Sequence, residues 1–250
     1  MQTSALTMVS RIAFLCVLAG VVSSSDASSR VSFAGFDWDV LDSHGKKVAP
    51  GPNVFDPALV AVDGTDLKLS IVRDRASQVV LKSSLGYGSY AFTTQTPVDD
   101  LGDPNLVLGM FLYKDDTHEL DIEFTRWGQQ ESSHNADYVV QPNPNGQASR
   151  KARFWAAPHA PDTVHTIDFR NDRVRFFSRL RNSTEACAPP AEEFRFHNAS
   201  EIPVPDGMKV SINLWRFHPK TDGNSVKPKA NLTVVFSNFS FTPALSINIV

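Results

Sequence analysis

From Glu119 to Phe124 the chain alternates acidic and apolar residues: Glu119, Leu120, Asp121, Ile122, Glu123, Phe124. A period of two is that of a β-strand, whose successive side chains point to opposite faces. As a strand this run sets three carboxylates on one face and Leu120, Ile122 and Phe124 on the other. The apolar face must lie on a core. On the acidic face, like charges with no cation between them repel one another and cost stability. A strand that needs only a wet face is served by Thr, Ser, Lys or mixed charges. An arrangement this costly points to use. Paired carboxylates on a rigid strand suit acid/base and nucleophilic chemistry on a neutral polyol, above all at a glycosidic bond.

The rest of the chain supplies strands for such a core. Leu67–Ile71 alternates cleanly, as does the region around Gly88–Phe92, and Asn105–Tyr113 is nearly all apolar and reads as a central strand buried on both faces. Val164–Phe169 and Val174–Leu180 flank Arg170-Asn171-Asp172-Arg173, a hairpin turn, and Lys209–Phe217 and Leu232–Phe241 complete the set. Gly, Pro, Asn and Asp separate these segments at short spacing, the pattern of a sandwich. Pro142–Ala148 and Cys187–Asp206, rich in Pro, Asn and charge, read as loops. The expected fold is all-β: two packed antiparallel sheets, a β-sandwich jelly roll, as one domain over residues 30–250.

The first 25 residues read as a secretory signal. Arg11 precedes the apolar run Ile12–Val22, which is shorter than the roughly 20 residues a membrane span needs. Cleavage is expected near Ser24–Ser28; an uncleaved anchor is the alternative. The sequons at Asn182, Asn198, Asn231 and Asn238 agree with export, so the expected location is extracellular, with no membrane association after cleavage. Cys16 leaves with the signal. Cys187, alone in the mature chain, allows no internal disulfide. The formal net charge of −3 gives no sign of a nucleic-acid partner. The basic run Arg173–Arg181, read as a strand, sets its arginines on one side and Val174, Phe176 and Leu180 on the other, a solvated sheet face. The chain is expected to act as a monomer.

Strand geometry bounds what the acids can do. The Cα atoms of Glu119 and Glu123 stand about 13 Å apart, and side chains leaning inward bring their carboxyls to roughly 5–6 Å. A retaining glycosidase needs about 5–5.5 Å and an inverting one about 6.5–9.5 Å. One Glu must attack as an anion while the other carries a proton, and neighbouring anions raise the second group's proton affinity. The spacing does not say which end does which. Carboxylates strung along a strand cannot all converge on one Ca²⁺, though one or two can. His118, His134, His159 and His165 show neither metal-ligand spacing nor a nucleophile elbow, and read as surface or cleft-edge residues. No metal or cofactor is called for. A purely solvated face and a lectin-like, non-catalytic glycan binder remain as alternatives.

Glu119-Leu120-Asp121-Ile122-Glu123-Phe124 resembles the Glu-x-Asp-x-Glu signature of glycoside hydrolase family 16, the lichenase, laminarinase and xyloglucan-transferase group. Leu85–Tyr90 resembles the family's Tyr-Gly-rich strand, Leu106–Tyr113 the strand upstream of the catalytic one, His165–Phe169 its His-Thr-aromatic strand. Ile202-Pro203 followed by Ser211–Trp215 resembles its Ile-Pro…Asn-Leu-Trp strand. The resemblance spans roughly residues 60 to 241, in order. It implies a concanavalin A-like jelly roll with a glycan cleft, a polysaccharide or oligosaccharide substrate, Glu119 as nucleophile, Asp121 as its partner and Glu123 as acid/base. It further implies that Asn213 and Trp215 face the cleft, Trp215 as a platform for a pyranose face. Tyr138 and Gln141, after the catalytic strand, are expected to border the same cleft. The unbulged motif leans toward the lichenase and xyloglucan side. Arg126-Trp127-Gly128, directly after the motif, matches no familiar pattern.

Overall fold

Sixteen strands and two single 3₁₀ turns make up the computed structural model, which describes residues 29–142, 151–154, 161–181, 192–217 and 231–245. In chain order the strands are β1 Arg30–Phe33, β2 Phe36–Val40, β3 Val54–Phe55, β4 Val60–Asp63, β5 Asp66–Ile71, β6 Arg75–Leu81, β7 Gly88–Thr94, β8 Leu106–Asp115, β9 His118–Phe124, β10 Ala136–Val140, β11 Lys151–Phe154, β12 Thr163–Phe169, β13 Val174–Leu180, β14 Glu192–Phe196, β15 Lys209–Arg216 and β16 Leu232–Pro243. One sheet runs β1-β2-β6-β15-β8-β9-β10-β11, with β3 added parallel to β6; the other runs β14-β13-β12-β7-β16-β5-β4. Every other pairing is antiparallel, and the two sheets face each other as a jelly-roll sandwich.

The core lies between them, and the alternation of each strand decides which residues enter it. Leu120, Ile122 and Phe124 of β9 join Leu108, Met110 and Leu112 of β8 and Ile212 and Leu214 of β15. Leu67, Leu69 and Ile71, then Phe92, Ile167, Phe169, Phe176 and Phe236, come from the opposing sheet. Trp38 is fully buried, edge-on to Phe239 at 5.2 Å, and its indole N–H donates to Phe33 O. A second, smaller apolar cluster sits outside this layer: Phe55, Ala76, Val107, Trp127 and Trp215, with Leu41 and Phe217 at its margin.

Some of the core is polar. His165, expected at the surface or a cleft edge, is 2% exposed between the sheets. Its Nδ1 pairs with Ser178 Oγ at 2.8 Å and its Nε2 with Thr163 Oγ1 at 2.9 Å, so both ring nitrogens are satisfied. Burial pushes the imidazole down to about 3, so it stays neutral. The span from Cys187 to Asp206, expected to be loop throughout, contains the edge strand β14, whose Phe194 and Phe196 pack onto the core. The 1–25 leader, Cys16, Cys187, His159, the Asn182 sequon and the loop expected over 143–148 lie outside the described residues. Asn198, Asn231 and Asn238 are exposed.

Candidate active site

Strand β9 is extended, and its acids occupy the face turned away from the core. Register carries that face across the sheet. Glu123 lies opposite Gly109 of β8 on one side and Asp137 of β10 on the other; Gly109 in turn lies opposite Asn213, and Asn213 opposite Gln78. One pleat along, Ser211, Phe111, Asp121, Val139 and Lys151 form the next row. A third row sets Lys209, Tyr113 and Glu119 side by side, and Gln141 continues it, its backbone N–H donating to Glu119 O at 3.0 Å.

The acids act on one another. Asp121 is 7% exposed, while Glu119 and Glu123 are half-buried. Desolvation and then the charge of Glu123 push Glu119 up to about 8; a hydrogen bond from Asp121 pulls it back, and Asp116 adds a smaller upward push. Asp121 is raised well above the ordinary carboxylate range, first by burial, then by Glu119 and Glu123, with Lys151 opposing. Asp121 therefore donates the hydrogen bond that joins the pair and orients Glu119, and both groups hold their protons more tightly than ordinary carboxyls. Asp116 lies on the β8–β9 turn, where Tyr113 Oη donates to it at 3.3 Å. Asp115, the last residue of β8, accepts from Thr117 and pairs with His118 Nδ1.

Asn213 shares the acid face. It is 3% exposed, its Nδ2 reaches Gln78 Oε1 at 3.5 Å, and its Oδ1 has no partner among the described residues. That oxygen lies over Gly109, where a Cβ would stand 2.5 Å from it. Gly109→Ala is therefore expected to drive the Asn213 amide out of its place, at a stability cost of about 1–3 kcal/mol. The double variant Gly109→Ala/Asn213→Ala should recover most of that in urea unfolding. Equal instability of the single and double variants would place the strain elsewhere.

Two expectations need correction. Tyr138 does not border the acid face. It lies opposite Ile122, is 1% exposed in the core, stacks on Phe176 at 5.3 Å and hydrogen-bonds Ser178 Oγ at 2.7 Å. Alternation along β10 turns Asp137 and Val139 outward, and so turns Tyr138 in. Trp215 has the expected parity, two residues beyond Asn213, but is no open platform. Trp127, Phe55 and Ala76 close over it and leave it 3% exposed. Among the described residues, the aromatic rings on the acid rows that keep open surface are Phe111 and Tyr113, both half-buried. A reading of β8 as buried on both faces hid them; the polar Tyr at the end of an apolar run was the available signal.

Beyond the acids the chain turns sharply. Trp127 adopts φ +49, the left-handed region that a bulky residue rarely enters, and its N–H donates to Thr125 Oγ1. Its indole Nε1 donates to Asp137 Oδ2 at 2.8 Å, and Lys151 Nζ meets the same oxygen at 2.7 Å. Among the described residues no group of three His, Cys, Asp or Glu side chains is arranged to hold a metal ion.

No family model matches the chain, and no curated protein matches its sequence. Solved structures do match its fold. A prokaryotic β-1,3-1,4-glucanase (lichenase) derived from a mouse hindgut metagenome aligns with TM-score 0.60 and 18% identity over 83% of this chain and 93% of that one. A glycoside hydrolase family 16 endo-glucanase from Bacteroides ovatus, solved with an oligosaccharide derivative, aligns with TM-score 0.59 and 14% identity over 82% and 94%. An immunostimulatory antigen described as a pseudo β-1,3-glucanase of Mycobacterium tuberculosis aligns with TM-score 0.59 and 14% identity over 83% and 91%. The fold of this chain is that of the family 16 glycoside hydrolases.

Proposed function

We propose that the chain is a retaining endo-glycosidase that cuts, or transfers, a β-linked glucan. The observation that carries the reading is the acid strand itself. Three carboxylates share one face, and the middle one gives its hydrogen bond to Glu119. In this reading Glu119, oriented by Asp121, attacks the anomeric carbon. Glu123 gives its proton to the leaving oxygen, and a glycosyl ester forms on Glu119. Glu123, now a carboxylate, takes a proton from water or an acceptor sugar, whose oxygen displaces Glu119 from the opposite side. Two inversions retain the anomeric configuration. Phe111 and Tyr113 offer open ring surface beside the acids for pyranose stacking. The β-glucanases among the structural neighbours favour a β-glucan over other polymers. The leader and the exposed sequons support export.

The neighbour described as a pseudo-glucanase favours a second reading, a glycan binder without turnover. One experiment separates the two. The purified chain is incubated with mixed-linkage β-1,3-1,4-glucan and with β-1,3-glucan, and polymer length and the anomeric proton signals of fresh products are followed. Shortening with first-formed β-anomers is the expected result. Retention of the polymer on an affinity gel with no shortening would overturn catalysis and leave the binder.

A further inference from the structure

The Arg126-Trp127-Gly128 turn has a place in this site. Three independent features converge on one carboxylate. Asp137 is 2% exposed and stands directly opposite Glu123 on the neighbouring strand, on the same face. Facing residues of an antiparallel pair have Cβ atoms about 4.5–5.5 Å apart, so the two side chains leave the sheet side by side on one face. Trp127, held in the left-handed region, and Lys151 of β11 both bond the same Asp137 oxygen, at 2.8 and 2.7 Å. Lys151 Nζ also lies 5.8 Å from the centre of the Trp127 ring, so the cation, the indole and the anion form one packed unit. A left-handed tryptophan is costly backbone, and here it delivers an N–H to a buried carboxyl group beside the acid strand.

We propose that Asp137 is a positioning residue for Glu123: fixed by Trp127 and Lys151, its carboxylate keeps the proton on Glu123 until the leaving oxygen takes it. The inference rests on Glu123 acting as the acid/base. An anion beside a carboxylic acid disfavours loss of its proton, and the effect is large where water is scarce. Lys151 has two consequences of opposite sign. It stabilises the charge on Asp137, and as a nearby cation it limits how far the whole acid cluster is raised; the same cation opposes the rise at Asp121.

Among the described residues, the strand register sets these further groups around Glu123. Asp121 and Glu119 follow on its own strand, and the β8 position beside it is Gly109, with the amides of Asn213 and Gln78 beyond. Tyr113 and Asp116 stand at the far, Glu119 end. On β11, Lys151 follows the Asp121 row and the register sets Arg153 opposite Asp137. Arg126, on the turn, points to Asp100 and the Gln130 carbonyl.

The test titrates Glu123 directly, in the full chain labelled with ¹³C at glutamate side chains. The Glu123 signal is identified by its loss in Glu123→Gln. In Asp137→Asn its midpoint is expected to fall by about one pH unit, a tenfold loss of proton affinity, and in Lys151→Met to rise, with Lys151→Arg close to wild type. Opposite shifts in the first two variants are the signature, because a merely structural role moves neither in a set direction. An unmoved midpoint in Asp137→Asn, or shifts of the same sign, would overturn the proposal. Lys151 is partly exposed at the sheet edge, so Lys151→Met keeps the test decisive should Asp137→Asn not fold. In the active enzyme the basic limb of kcat/KM should follow the same midpoints. Absence of turnover with the titration pattern intact would count against the glycosidase reading and leave the Asp137 inference standing.

Discussion

Glu119→Gln is expected to abolish turnover and, at the same time, to make the protein more stable as the pH rises. The first effect follows from the proposed role: an amide cannot form the glycosyl ester, and loss of a nucleophile costs about 10⁴-fold or more in kcat. Glu123→Gln should cost about 10²–10⁴-fold, the usual contribution of a proton donor. The second effect follows from the electrostatics. The native state raises Glu119 from its ordinary 4.5 to about 8, through burial and the charge of Glu123. A carboxyl raised on folding binds its proton more tightly in the native state than in the unfolded one. Between these two values the native state holds more protons, so wild-type stability falls as pH rises through that window. The Gln variant lacks that penalty, and its amide oxygen still accepts the bond from Asp121. Its advantage in Tm should therefore be near zero at pH 4, grow steadily from pH 5 and level off near pH 8, at about 2–4 °C for each kcal/mol relieved. Thermal unfolding of both proteins across that range reads it. His165 works the other way. Buried neutral with its value pushed down to about 3, it removes stability as pH falls below about 6.5, and does so equally in both proteins, so it cancels in the difference. A variant that is inactive yet no more stable at pH 8 than at pH 5 would show that the acid strand carries no stored repulsion. The physical premise of its use would then fail.

The acid strand was legible because its alternation is written in consecutive residues and both faces are named at once. That legibility stopped at the next loop. Parity is not conserved through the turn from Thr125 to Asn135, so nothing in the sequence said whether Asp137 or Tyr138 would share the face of Glu123; the register that opposes Glu123 to Asp137 decides it. Trp215 failed for a different reason. Its face was correct, but the cover over it comes from Phe55 and Trp127, residues remote in sequence that only the folded chain brings together. The same cover explains why β6 escaped notice. Ala76 and Ser77 are adjacent and both fully buried, because β3 and its neighbours close the outer face at that end and erase the alternation. Strand β14 was masked by its charge. As an edge strand it needs only Phe194 and Phe196 on the core, while Glu193 and Arg195 face solvent and pair with one another. Period-two patterning thus reports strands with one wet face, and loses those covered on both.

Asp103→Ala is expected to cost about 3–5 kcal/mol of folding stability, more than any single truncation on the acid face, because it strands a buried cation. Arg216 ends β15, directly after Trp215, and is 3% exposed. Its Nη1 meets Asp103 Oδ2 at 2.6 Å; the Asp103 side chain is wholly buried, and its other oxygen accepts both the backbone and the side-chain N–H of Asn105. Among the described residues no other buried carboxylate meets this guanidinium. Asp74 stands 3.7 Å from Arg216 Nε, but is 65% exposed and screened by water, and Nη2 has no partner among the described residues. Around this pair the chain is tied together from afar: Asn53 donates to Arg216 O at 2.9 Å and accepts from Arg216 N at 3.2 Å, which fastens the segment before β3 to the end of β15 and holds Phe55 over Trp215. Loss of Asp103 therefore reaches the acid sheet through its cover. Urea unfolding should show the full loss in Asp103→Ala. The double variant Asp103→Leu/Arg216→Met, which removes both charges and keeps the volume, should recover most of it. A loss below about 1 kcal/mol in the single variant would mean that the guanidinium finds water or a new partner, and that the pair behaves as a surface bridge. A double variant as unstable as the single would assign the cost to the two Asn105 hydrogen bonds instead of to the charge.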